Sequence, residues 1–544
     1  MTTSLPAVSF PLLSSLLLAN PFFGVADATA ADLVTKHAGD AVARGRANSL
    51  VRALQSDDSR VSRKPSNVSH CAGSKRMEES TAGQMAAAIR KMFRGGELHA
   101  NEFMWGAAVA AYQVEGSWNE GGRTASIWDV FTHQSKAMGL GKVANDDTGD
   151  EAAHFYRKYK EDIETMRELN LTHFRFSISW TRVLKQGMYR NEAGITFYKN
   201  LVRALKRANV EPVVTLYHWD MPDHLDWRED GIVEAFVTFA KLMFTELPTV
   251  KYWITLNEPW VFCKLGYQWG SHHLKCGHNA LKAHARAYRL FKKDFAPKRP
   301  GAQVGLTLNA DWRVPLDPSN PEDERQCEIE MDSALGWFAE PVYGSGFYPA
   351  SLRKEYPHVL PNMTAADRNL IRNSSDFFGL NHYTTMYVDS TSPRAETRHR
   401  NGVVIGPHAA TWWLYAVPWG FRRLLAYIQD KWNPPFIIVT ENGMSDEKKS
   451  DVEDYLSDQM RIFYFETYLA ELSKAILEDN VRVSGYFAWS LLDNLSWVDG
   501  YDKRYGFVYV DYGDAERNRT IKASGRYYSS LIRSVTYQAN KCYD

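Results

Sequence analysis

Two glutamates in this sequence each close a run of apolar residues. Glu258 follows Trp253-Ile254-Thr255-Leu256-Asn257, and Glu441 follows Ile437-Ile438-Val439-Thr440. A carboxylate at the buried end of a strand is costly unless something pairs with it. Other polar residues stand in or after similar runs: Gln113, Arg175, His218, Asn257, Asn381, Tyr383 and Trp489. If folding brings Glu258 and Glu441 to within about 5 Å, the pair is equipped for retaining hydrolysis of a glycosidic bond. One carboxylate attacks the anomeric carbon. The other protonates the leaving oxygen and later deprotonates water. The nucleophile must stay ionised, which suits Arg175 and Tyr383 as neighbours. The acid must hold a proton near neutral pH, which suits an apolar or like-charged setting, and Trp260 beside Glu258 agrees with that.

Only a particular scaffold can gather these residues. From about residue 100, short β-forming runs alternate with amphipathic helical stretches. The runs are 103–111, 173–179, 211–219, 251–259, 303–312, 376–384, 435–443 and 483–491. Helical stretches include 150–169, 196–209, 233–247, 279–293, 419–432 and 457–478. In 196–209, Phe197, Leu201, Leu205 and Ala208 recur every three to four residues, an apolar stripe on one helix face. Runs such as Pro212-Val213-Val214-Thr215-Leu216 are continuous rather than alternating, as parallel strands covered on both faces should be. Eight strand–helix alternations predict an α/β chain folded as a (β/α)8 TIM barrel. Such a barrel would gather all eight strand ends at one face. A doubly wound sheet would need a glycine-rich turn after an early strand, and Gly121-Gly122 does not follow a strand end in that way.

The chain has 544 residues, 44% hydrophobic and 24% charged, with 64 Lys+Arg against 64 Asp+Glu. That balance gives no electrostatic footprint for nucleic acid or an anionic membrane. Five cysteines rule out a disulfide scaffold. Residues 1–30 read as a possible signal peptide, with an apolar stretch from Val8 to Leu18 and Ala28-Thr29-Ala30 as a cleavage pattern, but without the usual positive start. The same stretch is too short and interrupted to span a bilayer. The alternatives are an organelle-targeting or unstructured leader, and hence a secretory or a cytoplasmic location. Residues 31–98 read as a low-order N-terminal extension, 99–535 as the single catalytic barrel and 536–544 as a tail. Sequons occur at Asn67, Asn170, Asn362, Asn373, Asn494 and Asn518.

The segments around the two glutamates resemble those of the family 1 glycoside hydrolases, the β-glucosidase family, over about residues 100–535. Thr255-Leu256-Asn257-Glu258-Pro259 is similar to that family's acid/base motif, and Val439-Thr440-Glu441-Asn442-Gly443 to its nucleophile motif. Segment 103–116 (FMWGAAVAAYQVEG) resembles the first-strand segment, and 174–180 (FRFSISW) the second-strand motif. The resemblance implies sugar binding by Gln113, His218, Asn257, Asn381, Trp489, Ser496 and Trp497, with Asn257 at the 2-OH and Trp489 under the ring. It implies nucleophile support by Arg175 and Tyr383. It implies a small β-glycoside or oligosaccharide substrate and no metal or organic cofactor. Glu258 argues against the thioglucosidase branch, which carries Gln there.

The departures bear on substrate. Family β-glucosidases usually carry Glu where this chain has Ser496. The 6-phospho-β-glycosidases of the family resemble this chain at Ser496, Lys503 and Tyr505, and a hydroxyl, an ammonium and a phenol could bind a phosphate dianion. The preferred expectation is an unphosphorylated β-glycoside; a 6-phospho-β-glycosidase and a non-catalytic sugar-binding barrel are the alternatives. The loops 224–232 and 266–276 differ from the family's, so aglycone preference is not carried over. Trp128, Trp312, Trp337 and Trp432 read as core, Trp412 and Trp413 as either aglycone contacts or packing, and His284 as a core histidine. His272, His273, Cys276 and His278 look like a metal set only on paper, without a second cysteine at ligand spacing. Cys263 and Cys276 are either a disulfide or free thiols.

Overall fold

All eight apolar runs form strands, and the strands close on one another. The computed structural model describes residues 80–93, 103–266, 272–393, 397–447 and 449–540. The strands are β1 (Met104–Ala108), β2 (His173–Ser177), β3 (Glu211–Tyr217), β4 (Tyr252–Asn257), β5 (Gln303–Asn309), β6 (Phe378–Asn381), β7 (Ile437–Asn442) and β8 (Val483–Trp489). They follow one another around a closed barrel, and β8 returns to β1. Every neighbouring pair is parallel. The (β/α)8 barrel expected from the alternation is therefore the fold.

Helices cover the outside. The principal ones are α1 (Thr81–Phe93), α2 (Phe155–Glu168), α3 (Glu192–Arg207), α4 (Gly231–Glu246), α5 (His272–Asp294), α6 (Pro418–Trp432), α7 (Gln459–Leu477) and α8 (Ala523–Asn540). Their apolar stripes face the strands: Phe197, Leu201 and Leu205 of α3 are buried. Inside the barrel sits a small separate apolar plug of Met104, Val213, Ile254, Phe377, Ile438 and Phe487. Past the plug the interior turns polar, with Arg175, Thr215, Thr307 and Thr440 buried and hydrogen-bonded to one another or to their neighbours. This layer is tight. A Cβ on Gly379 would lie 2.5 Å from the Thr307 hydroxyl, and one on Gly443 would lie 2.0 Å from the Trp489 carbonyl oxygen.

Two domain boundaries move. Residues 81–93, inside the stretch expected to be low in order, form α1, which belongs to the same compact unit as the barrel. It packs on α7 and α8 through Met85, Ala86, Ala88 and Ile89, all buried. The Lys91 ammonium donates to the Leu477 carbonyl at the end of α7 and to Asn480 Oδ1. Alanine-rich sequence with four larger apolar residues among thirteen carries little hydrophobic signal, yet its helix propensity is high and its small residues allow close approach. At the other end α8 runs to Asn540, past the expected limit at 535. The leader 1–30, the rest of the extension and residues 541–544 lie outside the described residues. No helix among the described residues is long and apolar enough to cross a membrane.

Candidate active site

Parallel strands deliver their carboxyl ends to one face, and the functional side chains stand there. Glu258 immediately follows β4, and Glu441 is the penultimate residue of β7. Both carboxylates are buried, at 6% and 3% exposure. Arg175 of β2 donates from Nη1 to Glu441 Oε1 at 2.7 Å and to the Thr440 carbonyl at 2.9 Å. Its Nη2 donates to Asn257 Oδ1 at 2.7 Å and its Nε to Thr215 Oγ1 at 3.1 Å. Tyr383 donates its hydroxyl to Glu441 Oε2 at 2.7 Å. Glu441 is thus held on both oxygens. Glu258 receives one side-chain donor, Asn381 Nδ2, at 2.5 Å.

Asn381 stands beside both acids: its amide bonds Glu258, and its backbone lies opposite Glu441 in register. The amide also donates to Asn257 Oδ1 at 3.1 Å, and its oxygen accepts from Thr440 Oγ1 at 2.7 Å. These bonds engage the Asn381 amide within the protein, beside the Glu258 carboxylate.

The two carboxylates differ electrically. Burial, and then the charge of Glu441, push the Glu258 carboxyl up to about 8. Burial also raises Glu441, but Arg175, Tyr383 and Asn381 all pull it back. Glu441 is therefore the member that keeps its charge when the pair holds one proton. Burial and the neighbouring carboxylates raise the Tyr383 phenol far above its ordinary value, so it remains a donor.

Beside the carboxylates lies a donor–acceptor pair with nothing to bond to inside the protein. Gln113 donates from Nε2 to Leu495 O at 2.7 Å and to Asn494 Oδ1 at 3.1 Å, which leaves its buried Oε1 without a partner. Asn257 Nδ2 meets His218 Nε2 at 3.0 Å. Because the Asn257 oxygen already accepts from Arg175 and Asn381, its nitrogen faces His218, so the histidine hydrogen sits on Nδ1, which is buried and unpartnered. Burial and Arg175 depress the His218 pKa and keep the ring neutral. Trp489 and Trp497 lie against His218, with centroids at 5.8 and 6.1 Å, and Trp497 packs on Trp219 at 4.6 Å. Three non-glycine residues here hold left-handed backbone: Trp219 (φ 75°), Glu258 (φ 50°) and Trp497 (φ 55°). Such strain persists only where packing enforces it.

The remaining expectations divide. Trp337 and Trp432 are buried core, and His284 is a buried histidine bonded to Thr255 Oγ1 at 2.7 Å. Trp128 is only half-buried and packs on Trp497 at 4.6 Å, behind the site, and Trp312 is half-buried against Tyr427. Trp413 stands edge-on to Tyr383 at 5.8 Å, whereas Trp412 is exposed. Cys263 and Cys276 form a disulfide, which commits the sulfur of the suspected metal set, and His278 Nδ1 bonds the Tyr348 hydroxyl at 2.8 Å. Tyr505 is buried with its hydroxyl 3.0 Å from Thr411 Oγ1. Lys503 acts electrostatically on the Asp499 carboxyl, which burial raises. Asn494 is buried, its amide donating to Ser490 and Leu492, which leaves that sequon inaccessible. Sequence reasoning named nothing at the end of β5. The structure places Asn309 there, opposite Asn381 in register, with its Oδ1 buried and unpartnered. The rule that polar residues at strand ends matter would have found it.

Residues 97–536 match a family model described as glycosyl hydrolase family 1. The chain is 39% identical to beta-glucosidase 42 of Arabidopsis thaliana over 79% of this chain and 93% of that protein. It is 38% identical to the human lactase-like protein over 79% of this chain and 81% of that one. Among solved structures, the GH1 beta-glucosidase of the fungus Humicola insolens, in complex with glucose, superposes with a TM-score of 0.75 at 37% identity, covering 80% of this chain and 98% of that one. Beta-glucosidase 2 of the fungus Trichoderma reesei, in complex with Tris, gives 0.76 at 36% identity, with coverage of 80% and 98%.

Proposed function

The chain belongs to glycosyl hydrolase family 1 and is a glycoside hydrolase; from that premise we propose that it is a retaining β-glucosidase-like enzyme working through a covalent glycosyl-enzyme. The observation that carries this reading is the unequal pair, with Glu441 ion-paired to Arg175 and Glu258 desolvated. The charge of Glu441 raises the Glu258 carboxyl, so the two acids sense each other, as the close pair of a retaining enzyme must.

In the first step Glu441 Oε attacks the anomeric carbon while Glu258 gives its proton to the leaving oxygen. A C–O bond breaks, an ester forms, and the aglycone departs as an alcohol. Esterification removes the negative charge of Glu441, which raises Glu258 more than any influence but burial. The Glu258 carboxylate left behind is then stable as an ion and ready to take a proton from water. Water attacks the anomeric carbon, its bond to Glu441 breaks and the carboxylate is restored, and the returning charge makes Glu258 hold its new proton. Gln113 Oε1 and His218 Nδ1 offer an acceptor and a donor to adjacent sugar hydroxyls, with Trp489 as the ring wall.

An unphosphorylated glycone is supported by what surrounds Ser496. The Tyr505 hydroxyl already has Thr411 as partner, and Lys503 has the Asp499 carboxyl nearby, a negative group that opposes a phosphate dianion. The Cys263–Cys276 disulfide supports placing the protein in an oxidising, secretory compartment. The central test is Glu441→Gly: turnover of an aryl β-glucoside is lost and azide restores it as glycosyl azide. Activity of that variant without azide would refute the assignment. Comparing the aryl β-glucoside with its 6-phosphate reads the glycone, and a preference for the phosphate would overturn that part alone.

A further inference from the structure

The fifth strand leads to a third carboxylate. Asp311 lies two residues beyond β5, half-buried. Its Oδ1 accepts the backbone N–H of Thr384 at 3.2 Å. Thr384 directly follows Tyr383, which holds Glu441, and Asn381, which bridges to Glu258, lies three residues before it. The same join is fastened twice more. Ala310 N–H donates to the Asn381 carbonyl at 3.0 Å, and His382 Nδ1 donates to the Ala310 carbonyl at 2.8 Å.

We propose that Asp311 is a positioning residue for the paired carboxylates: it fastens the 381–384 segment that holds both of them and adds a like charge to their surroundings. This rests on the reading of Glu258 as acid and Glu441 as nucleophile. The titratable groups that face Asp311 leave its charge uncompensated. His382, from its own side of β6, is buried with a depressed pKa and is neutral. Tyr468, from α7, has its phenol raised by burial and is neutral too. Arg313, two residues along, pairs with Glu330 at 3.1 Å. From β4 comes Glu258 itself, whose carboxyl the charge of Asp311 raises, while Arg175 on the far side lowers it. Asp311 reaches the chemistry only through other residues, so it tunes the acid rather than serving as one.

The charge and the clasp can be separated. Asp311→Asn keeps an oxygen for the Thr384 N–H and removes the charge; Asp311→Ala removes both; Asp311→Glu keeps the charge. A like charge raises the pKa of a carboxyl, so its removal must lower it. For Asp311→Asn the alkaline limb of the kcat/KM profile should therefore move down by about half a pH unit. At pH 8 the rate on an alkyl β-glucoside should fall about twofold, and that on a 2,4-dinitrophenyl β-glucoside by less, because its leaving group needs no proton. Asp311→Ala should lose rate on both substrates as Tyr383 slackens, and Asp311→Glu should keep the wild-type limb. A limb unmoved or raised in Asp311→Asn, or one shifted alike in Asp311→Glu, overturns the proposal. Azide rescue of Glu441→Gly distinguishes the layers: if rescue fails, the underlying assignment falls; if it succeeds and the Asn limb stays put, only Asp311 is misread.

Discussion

The electrostatic coupling of the two carboxylates is the feature most exposed to measurement. Glu441→Gln removes the negative charge beside Glu258 and keeps the shape of the side chain. Two unit charges at the roughly 5.5 Å of a retaining pair, at an effective dielectric constant of about 20, interact by about 3 kcal/mol. At 1.36 kcal/mol per pH unit that is about two units of pKa. The sign follows from the charge: without a neighbouring anion the ionised form of Glu258 is easier to make, so its titration moves down from about 8. Carbon-13 NMR of glutamate-labelled protein reads this directly, with the Glu258 resonance assigned by its loss in Glu258→Gln. A trapped 2-fluoroglycosyl-enzyme makes the same comparison with the native side chain, since the ester is also uncharged, and it should show a drop of similar size. A Glu258 midpoint that stays within about 0.3 unit in both would mean that the carboxylates do not sense each other. The acid-then-base role of Glu258 would then have no physical basis.

Tyr383→Phe removes the 2.7 Å donor from Glu441. Hydrogen bonds to charged groups are worth about 1.5–3 kcal/mol, so kcat/KM on an aryl β-glucoside should fall by roughly 10- to 150-fold with the fold intact by circular dichroism. Glu258→Gln should alter stability with pH. The native carboxyl holds its proton up to about 8, against 4.5 for an ordinary one, so the wild type loses stability as pH rises through that window. The Gln variant should thus melt above the wild type at pH 9 and close to it at pH 4; the reverse order would contradict the burial of an acid here. Met85→Ala should lower stability by about 2–5 kcal/mol in urea unfolding while leaving kcat and KM unchanged, because Met85 is buried beneath α1 on the far side of the strands from the site. A variant as stable as the wild type would mean that α1 does not dock.

What could be read from the sequence followed the strength of its physical signal. Buried parallel strands have to be continuous apolar runs, so all eight were visible, and polar residues closing such runs marked Gln113, Arg175, His218, Asn257, Glu258, Tyr383 and Glu441. The division of labour was less visible. Asn381 reads as one more sugar ligand, and only the structure shows its amide engaged with Glu258, Asn257 and Thr440 as well. Hydrogen-bond saturation of that kind depends on rotamers, which spacing does not encode. Helix α1 was missed because alanine contributes little to an apolar stripe and much to close packing. Trp128 was taken for core since its role depends on Trp497, which is distant in the sequence and reaches it only once the barrel closes.

The buried polar layer also constrains how charge can move. On the proposed assignment Arg175 is the fixed cation, Glu441 the resting anion and Glu258 a neutral acid. In the glycosyl-enzyme Glu441 is an uncharged ester and Glu258 the anion. The sum over the three is the same before and after the first step, so a desolvated site never carries a charge it cannot neutralise. The negative charge only passes from one carboxylate to the other, and Glu258 already feels the charge of Glu441. Arg175 must therefore serve both states. Its Nη1 meets Glu441, and its Nη2 meets the oxygen of Asn257, the residue preceding Glu258. Arg175→Met should be worse than the loss of one ion pair. With no cation in the layer, both carboxyls hold protons, and the nucleophile is lost along with its support. The pH profile separates the two outcomes. A merely weakened nucleophile keeps its acid limb in place at lower height, whereas a protonated one recovers part of its rate as pH rises, until Glu258 gives up its own proton.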